Sequence, residues 1–403
     1  MSESVRIVRI AAGGDGVGRL SDGRAVFIPR TAPGDLVEPA EVRLHARFAR
    51  ASLGRLLEPG PGRVEPPCRH YEADGCGGCQ LQHLDSETQR ATRRTIVGDA
   101  LRRIGRLKVE DPVLEAGGNE LGYRAKITLT VRPDGRDAGF HRTGEAGEVF
   151  GLIRCEIADE PLNRLWVEVR ARIDSWPPAL RQIVLRSGRD QNLHVVFRGP
   201  VTPSTSLAMG LSATVWWERP DGSHRVIGSG PAGASIPPGV FEQVHPEMGE
   251  RVRRYALEQM GAVQGRHVWD LYAGIGETTA ELVAAGATVE SVELDTEAVG
   301  VAEGRGPREQ ARRHIGPVED WIGRLEPAHA AVTNPPRTGM DRGVVTALRS
   351  SGPEVLVYIS CDPATLARDL GRLTDRYRLS SLRAFDLFPQ TAHVETVVRL
   401  DRQ

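Results

Sequence analysis

Val268–Gly276 reads VWDLYAGIG, a short apolar run followed by a glycine turn. The pattern predicts a strand that passes into a helix through Leu282, with a backbone able to lie close beneath a ligand. The next apolar run, Thr288–Glu293, predicts a second strand that ends in an acid. Past residue 240 short apolar runs alternate with helical stretches, as expected of a parallel sheet covered by helices. Residues 239–403 are therefore predicted to form an α/β, Rossmann-like domain.

The glycine turn lacks one element of the dinucleotide-binding fingerprint. That fingerprint, G-x-G-x-x-G, requires a glycine where Thr279 stands. An acid on the first strand, Asp270, followed by a G-x-G turn is instead typical of S-adenosylmethionine sites, and Glu293 is placed to accept two ribose hydroxyl hydrogens. A tight glycine turn is also a purely structural device, so the pattern alone leaves both interpretations open.

Length and composition describe a multidomain globular protein. At 403 residues the chain is expected to hold two or three domains. Its 40% hydrophobic and 26% charged residues are ordinary for a soluble protein. The N-terminus shows no signal segment, no apolar stretch reaches membrane-spanning length, and the few cysteines are scattered. These features predict a cytoplasmic location and no membrane partner. We also expect a monomer.

Arginine groups are the feature of the charge pattern that bears on partners. The net charge is −1, so the overall balance does not indicate a nucleic acid. Arginines nevertheless cluster over residues 43–55 and 90–106, and their planar forks suit phosphate. The alternative is a solvated surface in a chain that uses arginine in preference to lysine.

Two further domains are expected ahead of residue 239. Residues 1–60 show short Val/Ile/Leu runs broken by turns, which predict an oligonucleotide-binding (OB)-like β-barrel. Residues 61–238 predict a mixed α+β central domain, with a helix over roughly residues 85–106 followed mainly by strands.

The five cysteines fall into two settings. Four of them, a C-x2-C pair with two outlying partners, suit metal ligands, and the spacing is compatible with zinc or with an iron–sulfur cluster: Cys68, Cys76, Cys79 and Cys155. Cys361 follows the apolar run Val355–Ile359 and precedes a helix expected to begin near Pro363. A helix N-terminus favours a thiolate there. The alternative is a buried structural cysteine.

A thiolate at that place suits methylation of a pyrimidine. Carbon 5 of uracil or cytosine is a poor nucleophile, but addition of a thiolate to carbon 6 makes an enolate-like species that can attack a sulfonium methyl group. A base must then remove the proton on carbon 5. Glu395, in the apolar run HVETVV (393–398), is a candidate base in a strand of the same sheet. Its alternative is a surface edge strand.

A further polar side chain, Asn334, follows a predicted strand in the stretch AVTNPPR (331–337). Enzymes that methylate exocyclic amino groups of bases use a similar Asn-Pro-Pro, but with an aromatic residue next. Arg337 occupies that place. A base amino-methyltransferase therefore stays as a disfavoured alternative.

With these residues assembled, residues 1–403 resemble the RNA uracil-5-methyltransferase family, in the branch with a TRAM domain and an iron–sulfur cluster. The strongest motif is SCDPATLARD (360–369), where the family has its nucleophile. The resemblance implies Cys361 as nucleophile and Glu395 as general base. It implies a [4Fe–4S] cluster on the cysteine quartet. It also implies S-adenosylmethionine contacts at Gln243, Asp270, Tyr272, Gly274, Gly276, Glu293 and Asn334.

The resemblance implies methylation of carbon 5 of a specific uridine in structured RNA, with 23S ribosomal RNA as the preferred partner and transfer RNA as the alternative. The target base would leave its stack to reach Cys361. Asn334 departs from the family's usual Asp, and we hypothesise that its amide matches N3–H and O4 of uracil. A non-catalytic RNA-binding metalloprotein is the remaining alternative, in which Cys361 and Glu395 would matter only for stability.

Overall fold

A computed structural model describes residues 3–144, 147–188, 192–230, 239–305 and 308–403. The chain divides into two compact units. The first comprises Met1–Thr92, Gly118–Pro238 and Phe388–Ala392, and the second comprises Arg93–Gly117, Gly239–Leu387 and His393–Gln403. Within the described ranges, no helix has the length and apolar character needed to cross a membrane.

The first unit begins with a small six-stranded sheet. Its strands are β1 (Val5–Arg6), β2 (Arg9–Ile10), β3 (Gly16–Arg19), β4 (Ala25–Ile28), β5 (Leu36–Leu44) and β6 (Phe48–Glu58). They pair in the order β1-β5-β6-β4-β3-β2. Val5, Val26 and Val37 of these strands belong to one buried apolar cluster. The OB-like barrel expected over residues 1–60 stays a prediction.

The rest of the first unit is a mixed layer of helix and sheet. In chain order, the elements that follow this sheet are α1 (Arg69–Glu72), α2 (Ser86–Arg103), β7 (Val113–Glu115), β8 (Lys126–Val131), β9 (Ala138–Gly139), α3 (Glu160–Arg170), a 3₁₀ turn (Ile173–Ser175), β10 (Gln182–Ser187), β11 (Leu193–Arg198), α4 (Thr205–Ala208), β12 (Thr214–Glu218) and β13 (His224–Gly228). Of these, β7 and the part of α2 from Arg93 onward belong to the second unit. A second sheet runs β13-β12-β11-β10-β8-β9. Helix α3 packs on β10 and β11, and Asp159 caps it by accepting the N–H of Leu162 at 2.8 Å.

The second unit contains a large mixed sheet covered by helices. Its remaining elements are α5 (Pro246–Met260), β14 (His267–Leu271), α6 (Glu277–Ala284), β15 (Thr288–Glu293), α7 (Thr296–Glu303), a 3₁₀ turn (Arg308–Gln310), β16 (Ala311–Ile315), α8 (Val318–Trp321), β17 (Ala330–Thr333), α9 (Arg342–Ser351), β18 (Val355–Ser360), α10 (Pro363–Leu373), β19 (Tyr377–Phe385) and β20 (Glu395–Arg402). The strand order is β16-β15-β14-β17-β18-β20-β19-β7.

Strand order in this sheet reverses at β14. Strands β16, β15, β14, β17 and β18 are parallel. From β14 the chain adds β15 and then β16 on one side of the sheet, and afterwards β17 and β18 on the other side. Such a reversal leaves a crevice beyond the carboxyl ends of the central strands, which is where open α/β sheets bind ligands. Strand β18 is buried at every position, as expected of a strand covered on both faces.

The expected elements of the second unit are confirmed at the predicted places. The glycine-turn strand is β14, the acid-ended strand is β15, and α10 begins at Pro363. The predicted helix over 85–106 is α2. The three-part division at residues 60 and 238 stays a prediction.

Candidate active site

The turn that follows β14 is built from left-handed backbone. Tyr272, Gly274 and Gly276 have φ values of 63°, 55° and 73°. Glycine adopts this region freely, whereas a tyrosine rarely does. A Cβ added at Gly276 would lie 2.8 Å from the Cβ of Ala302 in α7. Glycine at this position therefore lets the turn and α7 approach each other.

Asp270 lies inside this turn, at the end of β14. Its side chain is 4% exposed, and the hydroxyl of Thr279 donates to its Oδ2 at 2.6 Å. Burial raises the pKa of Asp270 to about 6, while hydrogen bonds from Thr279 act in the opposite direction. Thr279, which stands in the place of the third fingerprint glycine, thus ties the first turn of α6 to β14.

Glu293, the last residue of β15, is joined directly to the glycine turn. Its Oε2 accepts the N–H of Gly274 at 2.7 Å, and its Oε1 accepts the N–H of Asp295 at 2.8 Å. A carboxylate offers about four lone-pair sites. Each oxygen of Glu293 therefore keeps capacity for a ligand hydroxyl after these two bonds.

Gln243 is placed by helix α5. A Cβ added at Gly249 would lie 2.7 Å from the Cβ of Gln243, so glycine in the first turns of α5 makes room for that side chain. Helix α5 in turn packs on β17, β18 and β20. Gln243 is partly exposed, which leaves it available to a ligand.

Cys361 and Glu395 come together through the pairing of β18 with β20. The two strands are antiparallel, and their last pair at this end is Ser360 with Thr396. One further step in the same register places Cys361 opposite Glu395. Residues opposite each other in such a ladder point to the same face. The thiol and the carboxyl group therefore lie side by side beyond the carboxyl end of β18.

Both groups have strongly perturbed pKa values. Burial, together with the charge of Glu395, raises the pKa of Cys361 to about 11. Burial raises the pKa of Glu395 to about 8, and its side chain is 2% exposed. The expected helix N-terminus effect on Cys361 is outweighed by burial. The carboxylate of Asp362 accepts the N–H groups of Ala364 and Thr365 at the start of that helix.

Arg337 opposes both of these shifts. Its charge and a hydrogen bond from its guanidinium lower the pKa of Cys361, and its charge lowers the pKa of Glu395. A buried carboxyl group and a thiol that share one arginine are a typical arrangement for acid–base and nucleophilic chemistry.

The loop that carries Arg337 begins at Asn334, where β17 ends. The N–H of Asn334 donates to the carbonyl of Leu271 at 3.2 Å, which holds its side chain next to the end of β14. Farther along, the hydroxyl of Thr365 donates to the carbonyl of Arg337 at 3.1 Å. Helix α10 therefore fixes the backbone at Arg337.

The cysteine quartet lies in the other unit, within one apolar core of the described residues. Cys68, Cys76, Cys79 and Cys155 are each 8 to 9% exposed. Burial raises the pKa values of Cys76, Cys79 and Cys155, and the charges of other thiols of the quartet act in the same direction. The N–H of Gly78 donates to the sulfur of Cys76 at 3.4 Å. None of the cysteines is in a disulfide. Over the described ranges, no group of three His, Cys, Asp or Glu side chains is spaced to hold a single metal ion.

Sequence reasoning missed two residues that organise the site. Arg337 was considered only as a departure from an Asn-Pro-Pro-aromatic motif, and Asp369 only as the end of a family motif. The available signal was that both lie close in the chain to Asn334 or Cys361. The sequence around these residues does not reveal that the guanidinium of Arg337 reaches the thiol of Cys361, because that contact depends on the path of the loop after β17.

Comparisons with known proteins agree on one family. A family model described as tRNA (Uracil-5-)-methyltransferase matches residues 327–403. The chain is 31% identical to an uncharacterized RNA methyltransferase of Thermosynechococcus vestitus, over 98% of this chain and 97% of that protein. It is 30% identical to the 23S rRNA (uracil(1939)-C(5))-methyltransferase RlmD of Acidithiobacillus ferrooxidans, over 99% and 97%.

The fold also matches a crystal structure. The tRNA (uracil-54, C5)-methyltransferase of Pyrococcus abyssi, solved in complex with S-adenosyl-L-homocysteine, aligns with a TM-score of 0.72. The alignment covers 98% of this chain and 100% of that one, at 22% identity. Such a likeness shows a common fold.

Proposed function

Since the chain belongs to the RNA uracil-5-methyltransferase family, we propose that it methylates carbon 5 of a specific uridine in 23S ribosomal RNA through a covalent adduct on Cys361. The observation that carries this proposal is the register of β18 and β20, which sets Glu395 opposite Cys361. The ribosomal substrate is supported by the relative in Acidithiobacillus ferrooxidans.

S-adenosylmethionine supplies the methyl group in this proposal. The glycine turn of Tyr272, Gly274 and Gly276, with Asp270 and Glu293, would hold it together with Gln243. The free lone pairs of Glu293 suit the two ribose hydroxyls, and the left-handed turn leaves room for a ligand against backbone. Asn334 completes the set at the neighbouring strand end.

Cys361 acts first on the base. Its sulfur forms a bond to C6 of uracil, and the electrons of the C5=C6 bond move to O4, so that C5 becomes nucleophilic and takes the methyl group. Arg337 favours the thiolate that this step requires, against the effect of burial. Glu395 then removes the proton from C5. The C6–sulfur bond breaks, the C5=C6 bond returns and the thiolate leaves.

The carboxyl of Glu395 is suited to this proton transfer. A pKa of about 8 is closer to neutrality than that of an ordinary carboxyl group, which makes the carboxylate a stronger base. The apolar surroundings that raise this pKa also exclude water from the adduct.

We extend the proposal to a [4Fe–4S] cluster on Cys68, Cys76, Cys79 and Cys155 in a central RNA-facing domain over residues 61–238, which follows a TRAM-type domain over residues 1–60. The buried, mutually interacting thiols and the N–H···S bond to Cys76 fit such a group. The cluster would cross-link the loops that carry its ligands; iron and sulfide analysis of anaerobically purified protein tests it.

The covalent step is tested with RNA that contains 5-fluorouridine. Fluorine cannot leave as a proton, so the adduct persists on a denaturing gel in the presence of S-adenosylmethionine. We expect it with the wild-type protein and not with Cys361→Ala. The variant Glu395→Gln should accumulate an adduct on ordinary RNA, because the proton on C5 stays in place.

The same gels separate the alternatives. A base amino-methyltransferase would methylate RNA with Cys361→Ala, and a non-catalytic RNA-binding protein would methylate nothing. Mapping 5-methyluridine in ribosomal and transfer RNA from cells with and without the gene identifies the substrate. Loss of the modification from transfer RNA alone would overturn the ribosomal assignment.

A further inference from the structure

We propose that the loop of residues 76–81, which carries Cys76 and Cys79, positions the general base Glu395 through the segment Phe388–Ala392. We call these two segments the cysteine loop and the base strap. The proposal rests on the catalytic role that we have proposed for Glu395. It gives the cysteine-rich part of the chain a place in the reaction, because removal of the proton from C5 would depend on the conformation of the cysteine loop.

The base strap interrupts the second compact unit along the chain. The strap and the cysteine loop both belong to the first unit, whereas the chain up to Leu387 and from His393 onward belongs to the second. His393 and Val394 alone separate the strap from Glu395, the first residue of β20. Three residues of chain span at most about 11 Å. A displacement of the strap therefore acts on the end of β20 that carries the carboxyl group.

The cysteine loop holds the base strap by backbone hydrogen bonds. The N–H groups of Gln80 and Leu81 donate to the carbonyl of Gln390, at 3.2 and 3.0 Å. Gln80 directly follows Cys79 in the chain. Gln390 has a φ of 69°, in the left-handed region that a glutamine rarely adopts. Such a conformation persists only where its surroundings impose it. Contacts with the loop therefore help to determine the path of the strap.

The side chain of Gln80 joins the two segments a second time. Its Nε2 donates to the carbonyl of Gly77, inside the C-x2-C pair, at 2.9 Å. Its Oε1 accepts the N–H of Ala392 at 3.3 Å. A Cβ added at Gly14 would clash with the Cβ of Gln80, so glycine there leaves room for this side chain. One amide thus ties the turn between the two cysteines to the last residue of the strap.

Two side chains outside the cysteine loop support the other end of the base strap. The N–H of Gln390 donates to Oε1 of Gln89 at 3.0 Å, and Nε2 of Gln89 donates to Oε1 of Gln390 at 2.9 Å. The hydroxyl of Tyr123 donates to the carbonyl of Pro389 at 3.0 Å. With its first residues held in this way, the strap should stay folded when the bond from Gln80 to Ala392 is removed. Gln80 is therefore the side chain through which we expect the cysteine loop to act on Glu395.

The proposed reaction contains one step that depends on this positioning. Addition of Cys361 to C6 and transfer of the methyl group both precede proton removal. A displaced carboxyl group at Glu395 would leave the methylated adduct with its proton on C5 and its bond from C6 to sulfur. A misplacement of about 1 Å can cost about 100-fold in rate. Loosening the strap should therefore give an adduct that forms normally and decays slowly, whereas a general loss of structure would slow both steps.

Gln80→Met tests the link, because methionine keeps the length of the side chain and removes both hydrogen bonds. On uridine RNA, conversion of the adduct to free methylated RNA by the full-length protein should slow about tenfold or more. The adduct with 5-fluorouridine RNA should form within about twofold of the wild-type rate. The matched control is Gln182→Met on β10, a partly exposed glutamine whose amide accepts from Arg198 at 3.3 Å. It should leave both rates unchanged.

Two outcomes of this experiment would overturn the proposal. One is release of methylated RNA by Gln80→Met at the wild-type rate. The other is an equal loss of adduct formation and adduct decay, with a circular dichroism spectrum unlike that of the wild type, because a purely structural role for Gln80 would give that result.

Hydrogen–deuterium exchange with mass spectrometry tests the contact without any measurement of activity. Peptides that cover residues 388–395 should exchange about fivefold faster in Gln80→Met, the equivalent of one hydrogen bond, because the N–H of Ala392 loses its acceptor. Cys76 and Cys79 are two of the proposed cluster ligands, so a bound cluster would restrict the cysteine loop. We therefore expect the same change in the wild-type protein after treatment with an iron chelator. Unchanged exchange in both samples would contradict the coupling.

Failure of the coupling is distinguishable from failure of the proposed function. If the wild-type protein forms no adduct with 5-fluorouridine RNA, the catalytic proposal fails whatever the exchange data show. If it forms the adduct and Gln80→Met releases methylated RNA as the wild type does, the positioning role of Gln80 alone fails.

Discussion

Asp369 accepts the backbone N–H of Met340 through Oδ2 at 2.9 Å. The same oxygen accepts the hydroxyl of Tyr358 at 3.0 Å, and Oδ1 accepts Nε of Arg368 at 2.9 Å. The carboxylate is fully buried. One acid on α10 therefore ties β18 to the loop that carries Arg337. A Cβ at Gly339 would lie 2.5 Å from Oδ2, so the loop also needs glycine there.

Replacement of Asp369 by Asn should destabilise the protein by about 1–3 kcal/mol, because an amide nitrogen cannot accept a hydrogen bond and leaves buried donors unpaired. Urea denaturation measures the change. The control is Asp375→Asn, at an exposed ion pair with Arg349, where the change should stay within about 0.5 kcal/mol. If the two variants were equally stable, Asp369 would not hold the loop.

Arg337→Gln should make Cys361 less reactive, since its guanidinium lowers the pKa of the thiol. The pH profile of Cys361 alkylation, followed by peptide mass spectrometry, should shift upward. A rise of one pKa unit would slow the reaction about tenfold at a given pH below the pKa. Arg342→Gln, on the exposed first residue of α9, is the control and should leave the profile unchanged. A profile that stays in place with Arg337→Gln would contradict the contact.

Local sequence patterns predicted the elements around the site because each depends on neighbours in the chain. The apolar run before Cys361 became β18, and Asp362 with Pro363 started α10 as such residues do. The glycine turn became a left-handed turn with Gly274 and Gly276 at positive φ. In these places short-range conformational preference and the final fold agree.

Pairing between strands that are distant in the chain was harder to predict from the sequence. The edge-strand alternative for Glu395 is wrong, because β20 lies between β18 and β19. An apolar run of this length occurs both in edge strands and in central strands, so the pattern does not distinguish the two positions. What places Glu395 opposite Cys361 is the register of two strands, and a one-residue slip would move either side chain to the other face.

The pH dependence of stability should carry the signature of Glu395. Burial raises its pKa from an ordinary value near 4.5 to about 8 in the folded protein. Between these values the folded state binds more protons than the unfolded state, so this group's contribution is favourable at low pH and is lost as pH rises toward 8. The slope is at most about 1.4 kcal/mol per pH unit.

Glu395→Gln removes that titration. Relative to wild type, the variant should therefore gain stability steadily from about pH 5 to about pH 8, as measured by urea denaturation at each pH. Glu250→Gln, at an exposed carboxylate on α5, is the control and should show no such trend. A constant difference between Glu395→Gln and wild type would mean that the carboxyl group titrates normally.

Asn334→Asp tests how the uracil edge is matched at the end of β17. An amide can accept from N3–H of uracil and donate to O4, whereas a carboxylate can only accept. The carboxylate would also place a negative charge close to the O4 on which negative charge develops. We expect Asn334→Asp to lower kcat by about 10-fold or more, as loss of one donor to a developing oxyanion does, with RNA binding little changed. Single-turnover methylation at saturating RNA measures this, and an unchanged rate and base preference in Asn334→Asp would show that the amide does not match the uracil edge.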